Sequence, residues 1–471
     1  MVLERIFTPG LAQVAYLIGD PAAGVAAVID PRRDVDSYIA LAQQHGLRIT
    51  AIFETHVHAD FVSGALELAD HTGATIYASR IGASEFKHQP LDDGDVINVG
   101  KLKVQAFWTP GHTPEHMSYL LTDPVISNKP QALFSGDMLF VGTVGRPDLL
   151  GSEATEGLLE QLYDSVYNRL MHLPDDIIVY PGHGAGSACG KNIGDNPSTT
   201  IGQEKRFNYA FRFPDREAFR EVIMEDMPPA PTYYPYMKRV NKVGPALLRD
   251  LPEGGPLDLA TLEARMQGGA LLIDTRSSLA FGGAHIPGAV FAGLGNNFVN
   301  WAGWHAPYER DVILLLDDDS DYAEARTELL RIGIDRVAGY VQGGFDAWVA
   351  AGKPVLTLPQ ISVHALHERL ESNNIQVLDV RTEAEWRAGH IPGARQRFAG
   401  DIVKASRTNE VFANGLSDLR DAPVAVICAS GYRSTVAASV LQGAGHPQVL
   451  NVVGGADAWQ AAGYPLKRGN S

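Results

Sequence analysis

The chain has 471 residues, enough for about three domains, and its 45% hydrophobic content is ordinary for globular protein with ample cores. A net charge of -16 makes nucleic acid and anionic membrane surfaces poor partners. The N-terminus is charged at once (Met1-Val2-Leu3-Glu4-Arg5), no run is long enough to span a bilayer, and Cys189 and Cys428 form no disulfide framework, so a reducing cytoplasm is the expected setting.

In chain order, Val14 to Ile18 and Val25 to Ile29 read as a hairpin about Asp20-Pro21, Val35 to His45 as a helix, and Ile49 to Phe53 as a buried strand. A helix-like stretch, Val62 to His71, comes next. Strands are expected at Thr75 to Tyr77, Leu102 to Trp108, Ser118 to Leu121 and Ala132 to Phe134. A long helix from Glu153 to Leu170 precedes a strand from Ile177 to Tyr180. This is an α/β layout with its special residues at strand ends. Proline density in Met227-Pro228-Pro229-Ala230-Pro231-Thr232-Tyr233-Tyr234-Pro235 marks a linker or an excursion.

The remainder repeats itself. Leu272-Ile273-Asp274-Thr275-Arg276 is echoed by Leu378-Asp379-Val380-Arg381, and Ala284-His285-Ile286-Pro287-Gly288-Ala289 by Gly389-His390-Ile391-Pro392-Gly393-Ala394. Gly343-Gly344-Phe345-Asp346-Ala347-Trp348 returns as Gly454-Gly455-Ala456-Asp457-Ala458-Trp459. The expected organisation is therefore a domain over 1–235, a linker over 236–254, and two copies of one α/β domain over 255–357 and 358–471.

The stretch Thr55-His56-Val57-His58-Ala59-Asp60-Phe61 follows the buried strand. Two histidines two apart on such a loop can both turn toward one point, and Asp60 adds an anionic oxygen. Phe61 cannot bind a metal, which leaves the cluster one ligand short of a two-metal site. His112, Asp137 and His183 stand on further strand-end loops, each beside a glycine that lets the backbone turn sharply. Four histidines and two aspartates so placed point to a metal centre rather than to structural histidines.

Over residues 1 to about 235 this pattern resembles the metallo-β-lactamase superfamily. The resemblance is carried in order by His-x-His-x-Asp, His112, Asp137, Gly145-Arg146-Pro147-Asp148 and His183. It implies an αββα sandwich. Hydrolases of the superfamily, such as hydroxyacylglutathione hydrolase, carry a histidine where Phe61 stands and hold two metals. The persulfide dioxygenases hold a single iron on ligands that map to His56, His112 and Asp137. The resemblance thus implies one Fe(II) per chain, with His58, Asp60 and His183 orienting ligands or bound water. Two histidines and a carboxylate with open positions also suit non-haem Fe(II) and dioxygen on chemical grounds.

Near the other end, the apolar run Val424 to Ile427 leads into Cys428-Ala429-Ser430-Gly431-Tyr432-Arg433-Ser434 and a helical stretch from Thr435 to Leu441. A cysteine facing a helix N-terminus is favoured as thiolate, and Arg433 nearby is expected to add to this. The loop Ala429, Ser430, Gly431, Tyr432, Arg433 can cradle an anionic persulfide or sulfite. This segment resembles the rhodanese sulfurtransferases, which makes Cys428 the catalytic nucleophile. In the earlier copy the strand Val312 to Leu316 puts Leu316 where Cys428 sits and runs into Asp317-Asp318-Asp319-Ser320-Asp321, which repels anions. That copy reads as a rhodanese without its nucleophile. Cys189, Lys191 and Arg206 are candidate substrate contacts, the two cations as anchors for an anionic thiol.

The whole order resembles the bacterial three-domain persulfide dioxygenase–sulfurtransferase fusions (CstB-like). That resemblance implies oxidation of a low-molecular-weight thiol persulfide by O2 to sulfite, and onward to thiosulfate through Cys428, in sulfide detoxification. The partners it implies are the thiol persulfide, O2 and sulfite, with no nucleic acid and no membrane, and a homo-oligomer. The competing readings are a binuclear zinc thioesterase with an appended rhodanese, and a non-catalytic sulfur carrier or sensor.

Overall fold

A computed structural model describes residues 1–469 apart from 409, 413–415 and 421. The chain divides into two compact units: Met1–Leu251 with Leu330–Gly333, and Pro252–Leu329 with the residues from Ile334 onward.

The first unit holds two six-stranded sheets. One runs in order β1 (Val2–Thr8), β2 (Gln13–Asp20), β3 (Val25–Ile29), β4 (Arg48–Phe53), β5 (Thr75–Ser79) and β6 (Gln89–Leu91). The other contains β7 (Val96–Val99), β8 (Leu102–Trp108), β9 (Met117–Thr122), β10 (Ala132–Gly136), β11 (Ile178–Pro181) and β12 (Thr199–Thr200), ordered from β12 to β7. The continuous apolar run of β2 is explained by burial on both faces. Val14, Tyr16 and Ile18 point into the core between the sheets, with Phe53, Tyr119 and Phe134. Ala15 and Leu17 point the other way, toward the layer that contains Tyr38, Ala42, Ala65 and Leu68 of helices Asp36–Gln44 and Ala65–Thr72. Leu133 and Val179 of the second sheet pack outward on Leu159 and Leu162 of helix Ser152–Asp164. The result is the expected four-layer αββα sandwich.

Three details differ from the sequence expectation. The helix expected from Val62 starts at Ala65, because Ser63 N–H donates to the Asn241 side chain at 2.9 Å. The long helix expected over Glu153 to Leu170 is α-helical only to Asp164. A π-helical turn, Ser165–Arg169, follows, where Ser165 Oγ donates to Pro110 O at 2.6 Å. Residues 236–243, assigned to a linker, belong instead to helix Tyr234–Val243 of the first unit, whose buried face carries Tyr234, Met237 and Asn241.

The second unit contains two five-stranded parallel sheets of the same topology. The first has the order β13 (Pro256–Leu257), β17 (Val337–Val341), β16 (Val312–Leu315), β14 (Leu271–Asp274), β15 (Val290–Phe291). The second has the order β18 (Gln360–Ile361), β22 (Val449–Val452), β21 (Val424–Ile427), β19 (Gln376–Asp379), β20 (Arg395–Gln396). Register fixes the correspondence: Asp274 pairs with Leu315 and Asp379 with Ile427, so Leu316 occupies the place of Cys428. Among the described residues no helix is long and apolar enough to cross a membrane.

Candidate metal centre and cysteine loop

The chain leaves β4 toward His56, β8 toward His112, β10 toward Asp137 and β11 toward His183, so four strand ends deliver the special residues to one place. His56 Nε2 lies 3.9 Å and His112 Nε2 3.6 Å from Asp137 Oδ2. All three side chains are buried, and their ligand atoms lie within 4.8 Å of one another. None of these three atoms has a hydrogen-bond partner. A buried polar atom left unpaired is costly, and three converging on one point form a donor set for a cation. Gly136 makes the approach possible: at φ +50° it has no Cβ, which would come within 2.7 Å of both His116 Nε2 and Thr55 Oγ1.

The far side of each ligand sets its protonation. Thr55 Oγ1 gives its proton to Asp30 Oδ2 at 2.8 Å, so it accepts from His56 Nδ1 at 2.9 Å. His112 Nδ1 donates to the Arg146 carbonyl at 2.8 Å. Both imidazoles therefore carry their proton on Nδ1 and present a bare Nε2 lone pair to the centre. Burial, with positive charge at His58, pushes His56 well below the usual histidine range, and burial lowers His112 as well. Neutral imidazole is the ligating form.

Asp137 Oδ1 accepts from His183 Nδ1, and Asp60 Oδ2 accepts from His183 Nε2, each at 2.8 Å. Burial opposes charge on His183, but the two carboxylates outweigh it and hold its pKa well above the ordinary value. His183 is thus an imidazolium bridge that orients Asp137, with neither nitrogen free as a ligand. His58 Nε2 donates to Asp30 Oδ1 at 3.1 Å, and Phe61, fully buried, packs its ring 4.3 Å from that of His58. Against burial, Asp30 and Glu54 hold His58 up to about 9. Of the three residues expected to orient ligands, His183 bonds Asp137 directly, Asp60 bonds His183, and His58 bonds Asp30 with its ring 4.3 Å from that of His56.

Two residues escaped the sequence reading. His116 Nε2 accepts the Asp137 backbone N–H at 3.0 Å and so fixes that residue from behind. Its spacing from His112 was the available signal. Asn241, on helix Tyr234–Val243, donates to the carbonyls of His58 and Phe61 at 2.8 and 2.7 Å, and pins the histidine loop. No local pattern announces it.

The candidate substrate contacts fare differently. Cys189 is buried, and its sulfur is grouped with Asp60 and His183 beside the centre, 4.0 Å from Tyr234 Oη. Burial and the charges of Asp60 and Asp137 push its thiol well above the ordinary range, so it is protonated. Lys191 is corrected from an anion anchor to a helix cap: its ammonium donates to the Val222 and Glu225 carbonyls, both at 2.6 Å. Arg206 lies exposed in the last turn of helix Ile201–Phe207 and is not gathered into the cluster. Lys238 is a lysine whose charge reaches both His56 and His112.

In the second unit β21 ends at Cys428, and helix Tyr432–Gly443 begins behind Gly431. The buried sulfur accepts the Gly431 N–H at 3.1 Å, and Gly431 adopts φ +116°, a turn that side chains disfavour. Ala429 and Ser430 complete the turn. Ser434 Oγ lies 3.5 Å from the sulfur and donates to Asn451 Oδ1 at 2.6 Å. Arg433 has a second partner. Its guanidinium grips Glu385 in a fork of 2.8 and 2.6 Å, so it makes its hydrogen bonds there, while its charge still interacts with Cys428 beside the helix start and the backbone N–H. The repeated His-Ile-Pro-Gly motif is architectural: His285 Nδ1 donates to Phe281 O, and His390 Nδ1 to Trp386 O, both at 2.9 Å.

With this geometry in hand, comparison with known proteins is informative. Residues 8–183 match the metallo-beta-lactamase superfamily, and residues 258–351 and 362–462 each match the rhodanese-like domain. The chain is 32% identical over 186 residues to a mitochondrial persulfide dioxygenase of Homo sapiens, covering 39% of this chain and 68% of that one. It is 30% identical over 264 residues to a hydroxyacylglutathione hydrolase of Rhodopseudomonas palustris, covering 50% of this chain and 98% of that one. Among solved structures, a metallo-beta-lactamase from Staphylococcus aureus is 36% identical with a TM-score of 0.65, covering 72% of this chain and 98% of that chain.

Proposed function

We propose that this chain, which belongs to the metallo-β-lactamase superfamily and carries two rhodanese-like domains, is a persulfide dioxygenase coupled to a sulfurtransferase. The observation that carries the reading is the set of three bare ligand atoms, two imidazole and one carboxylate, beside a residue, Phe61, that cannot ligate. His56, His112 and Asp137 would hold one Fe(II), which when bound would supply the binding and activation of dioxygen. The overall change balances as RSSH + O2 + H2O giving RSH, sulfite and two protons. His56 and His112 keep their lone pairs on Nε2. Asp137 stays ionised because His183 holds a proton between it and Asp60. Phe61, fully buried, packs against His58 and offers no ligand atom there.

Sulfite is then converted at Cys428. Its thiolate attacks the sulfane sulfur of a second thiol persulfide, the S–S bond breaks, and the thiol leaves with the persulfide's proton. Sulfite takes the outer sulfur from the cysteine persulfide, which releases thiosulfate and restores the thiolate. The Gly431 N–H and the start of helix Tyr432–Gly443 steady the negative charge on sulfur in each step.

The likeness to hydroxyacylglutathione hydrolase keeps a zinc thioesterase as the competing outcome. Oxygen uptake on adding a thiol persulfide decides between them, using protein loaded anaerobically with Fe(II) and a zinc-loaded control. Rapid uptake in the iron form alone is the expected result. No uptake from protein shown to hold iron, with thioester cleavage by the zinc form, would overturn the proposal.

A further inference from the structure

The repeat without a nucleophile presses on the loop that has one. Its edge strand β15 (Val290–Phe291) packs against helix Tyr432–Gly443, whose first residue directly follows the Gly431 turn. Tyr432 Oη donates to the Gly293 carbonyl at 2.8 Å. The Tyr432 ring also meets Phe291, fully buried, at 5.1 Å between centroids with the rings tilted by 59°. About two helical turns further along, Ser439 Oγ accepts the Phe291 N–H at 3.4 Å. The second repeat holds the same segment through the Arg433–Glu385 fork, Ser434 to Asn451, and the Ala456 and Asp457 N–H groups on the Cys428 and Ala429 carbonyls, and the earlier copy adds Phe291 and Gly293 to these.

We propose that the nucleophile-free repeat is a working part of the sulfur-transfer site, with Tyr432 as a positioning residue that ties the Cys428 loop to Gly293 and Phe291. The inference rests on the sulfurtransferase reading above. Its physical content is geometric. Gly431 N–H reaches the sulfur only while the helix start is held, and the ring and hydroxyl of Tyr432 supply the part of that hold that comes from the earlier copy. The repeat lost the residue that attacks sulfur and kept the surface that aims it.

The test uses the full-length protein with Tyr432→Phe, Phe291→Ala and the double variant. Sulfur transfer from thiosulfate to cyanide is measured beside thermal unfolding. For Tyr432→Phe the expected result is a fall in kcat of about fivefold or more, with KM within twofold, since orientation rather than anion binding is lost. Phe291→Ala, made in the other repeat, should reproduce that split, and the double variant should lose less than the product of the two single losses. A role in stability alone would lower the unfolding temperature and leave kcat in place. A folded Tyr432→Phe with kcat within twofold of wild type would overturn the proposal, whether or not Phe291→Ala folds. The alkylation rate of Cys428 by iodoacetamide, followed on its peptide by mass spectrometry, needs no turnover. Absence of any sulfur transfer in wild type would sink the sulfurtransferase reading. An alkylation rate unchanged by Tyr432→Phe would sink the positioning role.

Discussion

His183 grips Asp137 by one carboxylate oxygen, Nδ1 to Oδ1 at 2.8 Å, and leaves the other oxygen, Oδ2, bare beside two bare imidazole nitrogens. The grip fixes which oxygen is presented and keeps it charged. It also commits a histidine that would otherwise be available to a second ion.

His183→Asn removes the imidazolium and frees the Asp137 carboxylate to turn. Metal affinity is expected to fall by about 10- to 100-fold, the usual cost of losing a partner that orients a ligand. Competition with a chromophoric chelator measures it, and affinity equal to wild type would exclude the orienting role.

The two sites should separate by substitution. Asp137→Ala is expected to abolish oxygen uptake and leave Cys428-dependent sulfur transfer in place. Cys428→Ser should keep oxygen uptake and make sulfite the main oxidised product. Ion chromatography of sulfite and thiosulfate distinguishes these outcomes. Thiosulfate formed at the normal rate by Cys428→Ser would contradict the proposed coupling.

Asn241→Ala leaves the His58 and Phe61 carbonyls and the Ser63 N–H without their partner. All three groups are in a buried loop, so a loss of about 2–3 kcal/mol is expected. Urea unfolding should show it together with weaker metal retention, because the same loop carries His56. A variant within about 0.5 kcal/mol of wild type would assign the pinning to other contacts.

Glu385 gives a pH signature in the second unit. Burial opposes its ionisation, but the Arg433 fork and the Thr382 N–H and hydroxyl outweigh this and hold its carboxyl down to about 2, against 4.5 ordinarily. A depressed carboxyl adds stability that is complete above the unfolded value and is lost as pH falls through the folded one. Wild type should therefore exceed Glu385→Gln in stability at neutral pH, and the gap should close between pH 4.5 and about 2. Acid unfolding followed by circular dichroism measures the gap at each pH. The carboxyl is 34% exposed, so solvent screening keeps the effect modest.

Much of this protein was legible because its signals are local. Strand-end histidines beside glycines, the doubled Asp-x-Arg and His-Ile-Pro-Gly motifs, and a cysteine between an apolar strand and a helix each fit within a few residues. Their spacing indicates an α/β chain with a cluster of metal-ligand residue types, two α/β repeats, and Leu316 in place of the nucleophile; the αββα sandwich and the choice of His56, His112 and Asp137 come from the family resemblance those motifs carry. In that sandwich, apolar runs such as Val14 to Ile18 are buried on both faces.

Only the tertiary structure decided what pairs across long separations. Asn241 reaches His58 and Phe61 from a helix that its prolines disguised as a linker. Lys191 caps a helix instead of meeting an anion, Arg433 places its hydrogen bonds on Glu385, and Tyr432 finds Gly293 in another repeat. A charged or hydroxyl side chain takes whichever buried partner the fold brings within about 3 Å. That choice leaves no spacing in the chain, since the partners are selected by how the layers pack and not by their distance in sequence.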